Sequence, residues 1–235
     1  MKKILETLRR KWTEYLIVVL VITIGILGAF ALNNWNENRK SAHEKHNYYK
    51  QLLIDLKADI NYAEFMISSL DSSITRHNKY IESLKQPYTT SNESFNKIWG
   101  NELSTRILEF KTSTIKSLIN TGDIKLLESN LRDRLANYDG SKTETLNLFK
   151  ANNENADNIY QSAFMSGVFL EFQLANQPEF ASYLDIKKKR PEIFIKLHGY
   201  LAWRTFGEQW TVRRLSKLIE DANIIIELIN EELKE

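Results

Sequence analysis

YLIVVLVITIGILGAFAL, residues Tyr15–Leu32, runs for 18 residues without a charge, about the least that crosses a hydrocarbon core of roughly 30 Å as a helix. Asn33-Asn34-Trp35-Asn36-Glu37 closes it. Trp12 and Tyr15 stand at one end and Trp35 at the other. At a helical rise of about 1.5 Å per residue the two tryptophans are separated by about 34 Å, which suits rings resting in the two interfacial belts. Lys2, Lys3, Arg9, Arg10 and Lys11 precede the run against Glu6 and Glu14, whereas uncharged Asn33, Asn34 and Asn36 follow it. The positive-inside rule then keeps the N-terminus cytoplasmic and sends the bulk of the chain across.

These features predict a cytoplasmic tail over residues 1–14, a transmembrane anchor over 15–35 and an exported helical body over 36–235. A cleaved signal peptide competes with the anchor, because Ala29-Phe30-Ala31 has the A-x-A form of a cleavage site. The apolar run is longer than the usual signal core and lacks a polar segment before the cut, which favours the anchor. Gly25 and Ala29, with Gly28 beside them, form a small-residue face on which a second membrane helix can approach closely. The bland reading is ordinary membrane-helix composition, in which glycine is common.

The body of some 200 residues is long enough for one domain with its own core. Only 3 Pro and 8 Gly, with 43% hydrophobic residues, point to a helix-rich globular chain. A net charge of +2 argues against nucleic acid as a partner, since phosphate binding needs a concentrated positive face. Without residues 1–14, 27 basic and 28 acidic residues remain, so the body is near neutral. Zero Cys excludes disulfides and thiolate chemistry and fits an oxidising envelope compartment.

Beyond the anchor the helical pattern continues. Tyr49, Leu53, Leu56, Ile60, Ala63, Ile67, Leu70, Ile74, His77, Ile81 and Leu84 follow at alternating steps of four and three, the seam of a heptad repeat. Run backwards, the spacing reaches His46, Ala42, Arg39, Trp35, Leu32, Gly28 and Gly25, so one helix joins the anchor face to the body's core face. Gln86-Pro87-Tyr88 ends it. Residues 88–127 break into pieces: a short helix from the capping box Thr90–Glu93 to about Trp99, and a second over 113–120 stopped by Gly122.

A third long segment starts at Asn130, with Leu131, Leu135, Tyr138, Leu146, Phe149, Ala156, Tyr160, Ala163 and Gly167 near one face and a possible interruption at Asp139-Gly140-Ser141. AFMSGVFLEF, residues 163–172, is apolar nearly all round, hence buried or an interface. A polar loop is expected to end in Lys187-Lys188-Lys189-Arg190, after which Pro191 opens the last helix, running to about Leu233. Its seam reads Trp203, Phe206, Trp210, Leu215, Leu218, Ala222, Ile225, Ile229 and Leu233. The expected fold is all-α, a transmembrane helix continuing into an elongated up-and-down bundle.

Phosphate-binding glycine loops, the nucleophile elbow and the H-E-x-x-H zinc motif are missing, and no His has Glu three residues before it, as bundle di-iron sites require. An enzyme is not expected, nor a cofactor or metal. His43 and His46 share a helix face, but two solvated residues outside the membrane are the simpler reading. His77 and His198 read as core or boundary histidines. Trp203, Phe206 and Trp210 read as packing, or else as the lining of an apolar pocket. If the second long helix returned toward the membrane, Lys187, Lys188, Lys189 and Arg190 would meet anionic headgroups, at roughly 1 kcal/mol each.

Gly25-Ile26-Leu27 together with Ala31 to Glu37 resembles the hallmark of an uncharacterised family of bacterial single-pass membrane proteins, whose anchor ends in a similar N-N-W-N-E signature. Ser117–Leu127, with Leu131, Arg132 and Tyr138, resembles that family's mid-domain motif, while Gly28-Ala29-Phe30-Ala31 departs from its bulkier anchor pattern. The resemblance covers about a quarter of the chain and implies a Gram-negative envelope protein without implying an activity. The function expected is a membrane-anchored interaction or scaffold subunit of the bacterial inner membrane. Its partners would be the lipid bilayer and either a second copy or another membrane protein. A sensory or solute-binding periplasmic module is the alternative, and its short tail would require a partner membrane protein.

Overall fold

The computed structural model describes residues 12–85, 91–98, 101, 103, 106–110, 113–174 and 176–234. Most of the expected tail, the Gln86-Pro87-Tyr88 break and Thr90 of the capping box lie outside the described residues. All regular structure among the described residues is helical: α1 Trp12–Leu84, α2 Ser91–Ile98, α3 Ser113–Thr121, a 3-10 turn Asp123–Leu126, α4 Ser129–Met165, α5 Val168–Gln173, α6 Pro178–Tyr183 and α7 Ile186–Glu232. The all-α class follows the sequence. The chain divides into two units, Met1–Lys50 and Gln51–Glu235, and α1 contributes to both.

In the first unit the apolar stretch of α1 has no packing partner among the described residues. Exposure runs from 44% at Leu16 to 69% at Leu32, and none of the most apolar window is buried. Among the described residues α1 is the one helix long and apolar enough to cross a membrane, and it lies near the N-terminus. Gly25, Gly28, Leu32, Trp35, Arg39, Ala42 and His46, the backward continuation of the seam, are exposed throughout.

The second unit is a bundle whose arms alternate in direction. The body part of α1 runs from Asp59, which meets Tyr138 and Lys142 of α4, to Tyr80, which shares a core cluster with Ala156 and Ala163. These two helices are therefore parallel. Between them the chain returns along residues 98–114: Ile98 packs in the Tyr80 cluster, Tyr62 and Phe110 meet edge to face at 5.6 Å, and the Thr114 amide donates to Asp55 Oδ2 at 3.1 Å. The last arm, α7, runs against α4, with Ser166 bonded to Glu192 and Glu144 bonded to Arg214. The up-and-down order holds, but the described residues of the second arm between Ile98 and Ser113 are not helical.

The buried column of α1 differs from the expected seam. Tyr49, Leu56, Ala63, Leu70 and His77 are buried as the spacing predicts, but the second column is Leu52, Asp59, Met66, Ser73 and Tyr80. Leu53, Ile60, Ile67, Ile74 and Ile81 are half-buried. Three columns inward make the broad stripe of a globular bundle and not the narrow seam of a coiled coil. Asp59 and Ser73 sit where periodicity places them, and their polarity hid them.

Gly122 adopts the left-handed conformation, with φ 77°, and ends α3 as expected. Thr121 Oγ1 donates to Asp123 Oδ2 at 2.8 Å and brackets that turn. The expected interruption at Asp139-Gly140-Ser141 does not occur, because α4 passes through it unbroken. Burial of Tyr138, Lys142 and Thr145 on successive turns supplies the packing that offsets glycine's low helix propensity. α4 stops instead at Ser166-Gly167, where Gly167 has φ 96°. The apolar stretch 163–172 is thereby split: Ala163 and Val168 are buried, while Met165 is 88% exposed.

Two expectations for the last helix are corrected. Lys187–Arg190 is not loop but the first turn of α7, which starts at Ile186 after left-handed Asp185, and Pro191 lies inside it. A proline that early removes one intrahelical bond, the one its N–H would have made to the Lys187 carbonyl. Trp203 and Phe206 are not on the core face: Phe206 is 61% exposed and Trp210 half-buried, whereas Leu201, Arg204, Thr205, Gly207, Glu208 and Thr211 face inward. From Leu215 to Ile229 the expected seam is buried.

Gly140, inside α4, and Gly122, at the end of α3, should respond to alanine in opposite directions. A Cβ at Gly140 meets nothing within 4 Å, so Gly140→Ala should stabilise by about 0.5–1 kcal/mol. Gly122→Ala should cost about 1–2 kcal/mol, because alanine is strained at that φ. Thermal melting of the detergent-solubilised chain, followed by helical circular dichroism, reads both as shifts in Tm of opposite sign.

Candidate functional site

The returning arm sets the chemistry of the interior. Residues 103 and 106–110 form neither helix nor strand, so their backbone groups need partners from elsewhere. Side chains of all three long helices supply them. Tyr200 OH donates to the Leu103 carbonyl at 3.0 Å, Asn153 Nδ2 to the Arg106 carbonyl at 3.0 Å, and Tyr62 OH to the Ile107 carbonyl at 3.3 Å. The Glu109 amide in turn donates to Tyr62 OH at 3.0 Å.

One polar layer ties the arm to α7. Glu208 Oε1 accepts from Arg106 Nη1 at 3.1 Å and from Arg204 Nε at 2.9 Å. Arg204 Nη1 also donates to Tyr200 OH at 3.1 Å, which completes a chain from the Arg106 side chain back to the Leu103 carbonyl. Burial pushes the Tyr200 hydroxyl's pKa up, against the pull of Arg204, so it stays a donor. Alongside, α4 and α7 come close at Gly207, where a Cβ would stand 3.2 Å from Asn152 Cβ.

A second layer joins α1 to α4. Lys142, 1% exposed, donates to Asp59 Oδ2 at 2.7 Å, and Tyr138 OH donates to the same oxygen at 3.1 Å. The ammonium also lies 4.9 Å from the Tyr138 ring centroid and 5.8 Å from that of Phe110, within cation–π range. Burial raises the Asp59 pKa, opposed first by the hydrogen bond and charge of Lys142 and then by Tyr138. The signal for this pair was present in the sequence. Leu131, Leu135 and Tyr138 step forward to Lys142, Thr145 and Phe149 on one face, as Leu52 and Leu56 step to Asp59.

The third layer holds His77, whose Nδ1 is hydrogen-bonded to Thr205 Oγ1. Its ring stacks on Tyr80 at 6.2 Å, and Tyr80 in turn lies 6.2 Å from His198. His77 Nε2, Tyr80 OH and His198 Nδ1 are buried without a hydrogen-bond partner among the described residues. Burial, followed by the charges of His198 and Arg204, holds His77 down at about 4.

The remaining residues singled out by sequence are not brought together. Trp12 and Trp35 are exposed, with the Arg39 guanidinium 5.3 Å over the Trp35 ring; the Tyr15 side chain lies outside the described residues. A Cβ on Gly25 or Gly28 would meet nothing within 4 Å, and Ala29 is exposed. Lys187, Lys188 and Lys189 are exposed and Arg190 is half-buried, with Lys188 3.0 Å from Asp185. They lie at the end of the body where α1 finishes. His43 and His46 are exposed, and no group of three His, Cys, Asp or Glu able to hold a metal is found among the described residues. No protein-family model, curated protein or solved structure matches the chain.

Lys142→Met leaves the Asp59 charge buried alone and should cost about 3–5 kcal/mol, whereas Asp59→Leu combined with Lys142→Met should recover most of that loss. Denaturant titration of the three proteins checks it. His77 gives a pH dependence of known sign. Its folded pKa, about 4, lies below the unfolded 6.5, so the stability it supports is complete above pH 6.5 and is lost as pH falls toward 4, on the order of 3 kcal/mol. Tm between pH 7 and pH 4 should fall more steeply for the native chain than for His77→Gln.

Proposed function

We propose that the chain is a membrane-anchored interaction subunit of a bacterial inner membrane, with its N-terminus in the cytoplasm and residues 36–235 in the periplasm. The observation that carries this is the unpartnered apolar stretch of α1, exposed along its whole length from Leu16 to Leu32. An unpaired apolar helix of that length is stable in lipid and costly in water. The charge asymmetry of its flanks supports this orientation, and the resemblance of Asn33–Glu37 and 117–127 to a family of bacterial envelope proteins supports this compartment.

An interaction role draws on α7. Ile195, Trp203 and Phe206 lie on its outward side at 69%, 39% and 61% exposure, and Trp203 and Phe206 rings are 6.2 Å apart. Exposed aromatic side chains grouped on one helix face mark contact surfaces. The partner is a second copy or another membrane protein, reached while both are held in the same bilayer.

In spheroplasts, protease added outside should cleave within residues 36–235 and leave the tail protected; a fully protected body reverses the orientation. A photo-crosslinking side chain at position 202, exposed beside Trp203 and Phe206, should capture a discrete partner or a dimer in intact cells. Trp203→Ser with Phe206→Ser should reduce that capture at least tenfold with Tm unchanged. A crosslinked chain that stays monomeric in cells removes the interaction role.

A further inference from the structure

We infer that the body carries a binding site for a small organic ammonium ion, in a cavity of about 440 Å³ lined by Ala58, Asp59, Tyr62, Glu109 and Phe110. That volume lies in the range of small-molecule sites. The site belongs to residues 51–235 alone and does not depend on the anchoring role.

Three observations converge. The first is a carboxylate with unused capacity. Asp59 is 3% exposed yet lines the cavity, and both hydrogen bonds it accepts fall on Oδ2. A carboxylate has two oxygens and about four lone-pair positions, so Oδ1 is the atom left for a ligand. The second is the sign of the local field. Lys142 pairs with Asp59 from behind, and Glu109 brings a second carboxylate to the lining. Two carboxylates and no basic side chain among the described lining residues disfavour an anion and attract a cation.

The third is the wall. Tyr62 and Phe110 meet edge to face at 5.6 Å across the cavity lining, and aromatic faces beside carboxylates recognise alkylammonium groups through cation–π attraction. The region already holds one ammonium in this manner, since Lys142 lies 5.8 Å from the Phe110 centroid. Tyr62 is fixed by its bonds to the Ile107 carbonyl and the Glu109 amide. The wall is therefore built before any ligand arrives, and little ordering is required on binding.

The test uses the full chain in a nonionic detergent, with choline as probe and dimethylbutanol, its uncharged carbon isostere, as control. Calorimetry should give saturable binding of choline and none of the alcohol. Glu109→Gln and Phe110→Leu should each weaken choline binding about tenfold. A native melting profile for each variant shows that the loss is not unfolding. Equal responses to choline and the alcohol, or choline binding unchanged in both variants, overturns the site.

Discussion

An arm of a helical bundle that is not itself helical must find its hydrogen bonds outside its own backbone, and the interior of this protein is organised around that requirement. Leaving a buried carbonyl or amide unpaired costs on the order of a lost hydrogen bond or more. Tyr62 on α1, Asn153 on α4 and Tyr200 on α7 each spend a polar atom on the arm. Three helices separated in sequence are thereby fastened to one strap, and the strap fixes their axial positions.

The same requirement explains why the core is so polar for its size. Arg204 and Glu208 occupy inward positions on α7, while Trp203 and Phe206 at neighbouring positions face outward. They do so because Arg106 and the Leu103 carbonyl lie opposite. A buried charge pair adds little net stability over an apolar replacement, since desolvation offsets most of the attraction. What it does here is penalise slippage: moving α7 by one turn would leave Glu208 without Arg106, and α4 by one turn would leave Lys142 without Asp59. Displaced from the core by these residues, Trp203 and Phe206 face outward, and a demand of the interior has produced an exposed aromatic surface.

The two units differ in where their apolar side chains lie. In residues 51–235 apolar side chains turn inward and polar groups are matched in layers. In the first unit the apolar side chains of α1 point outward on every side. One helix serves both by changing composition and not conformation, because a helix satisfies its backbone internally wherever it lies.

Much of this was legible in the chain. The long apolar run of α1, the end of α3 and the turn at Gly122 depend on residues within a few positions of one another, and local physics fixes them: an uncharged run and a glycine able to take positive φ. The inward columns, the unbroken α4 and the arm's route depend on pairs far apart, such as Asp59 and Lys142, 83 residues from each other. Neither position was on an expected face, since Asp59 precedes the seam residue Ile60 and Lys142 follows the expected interruption at 139–141, and each is buried only because the opposite charge stands beside it. The sequence by itself determined the helices and the greasy rod; tertiary structure decided which face of each helix is inside, because burying a polar group is tolerable only when its partner arrives from another part of the chain.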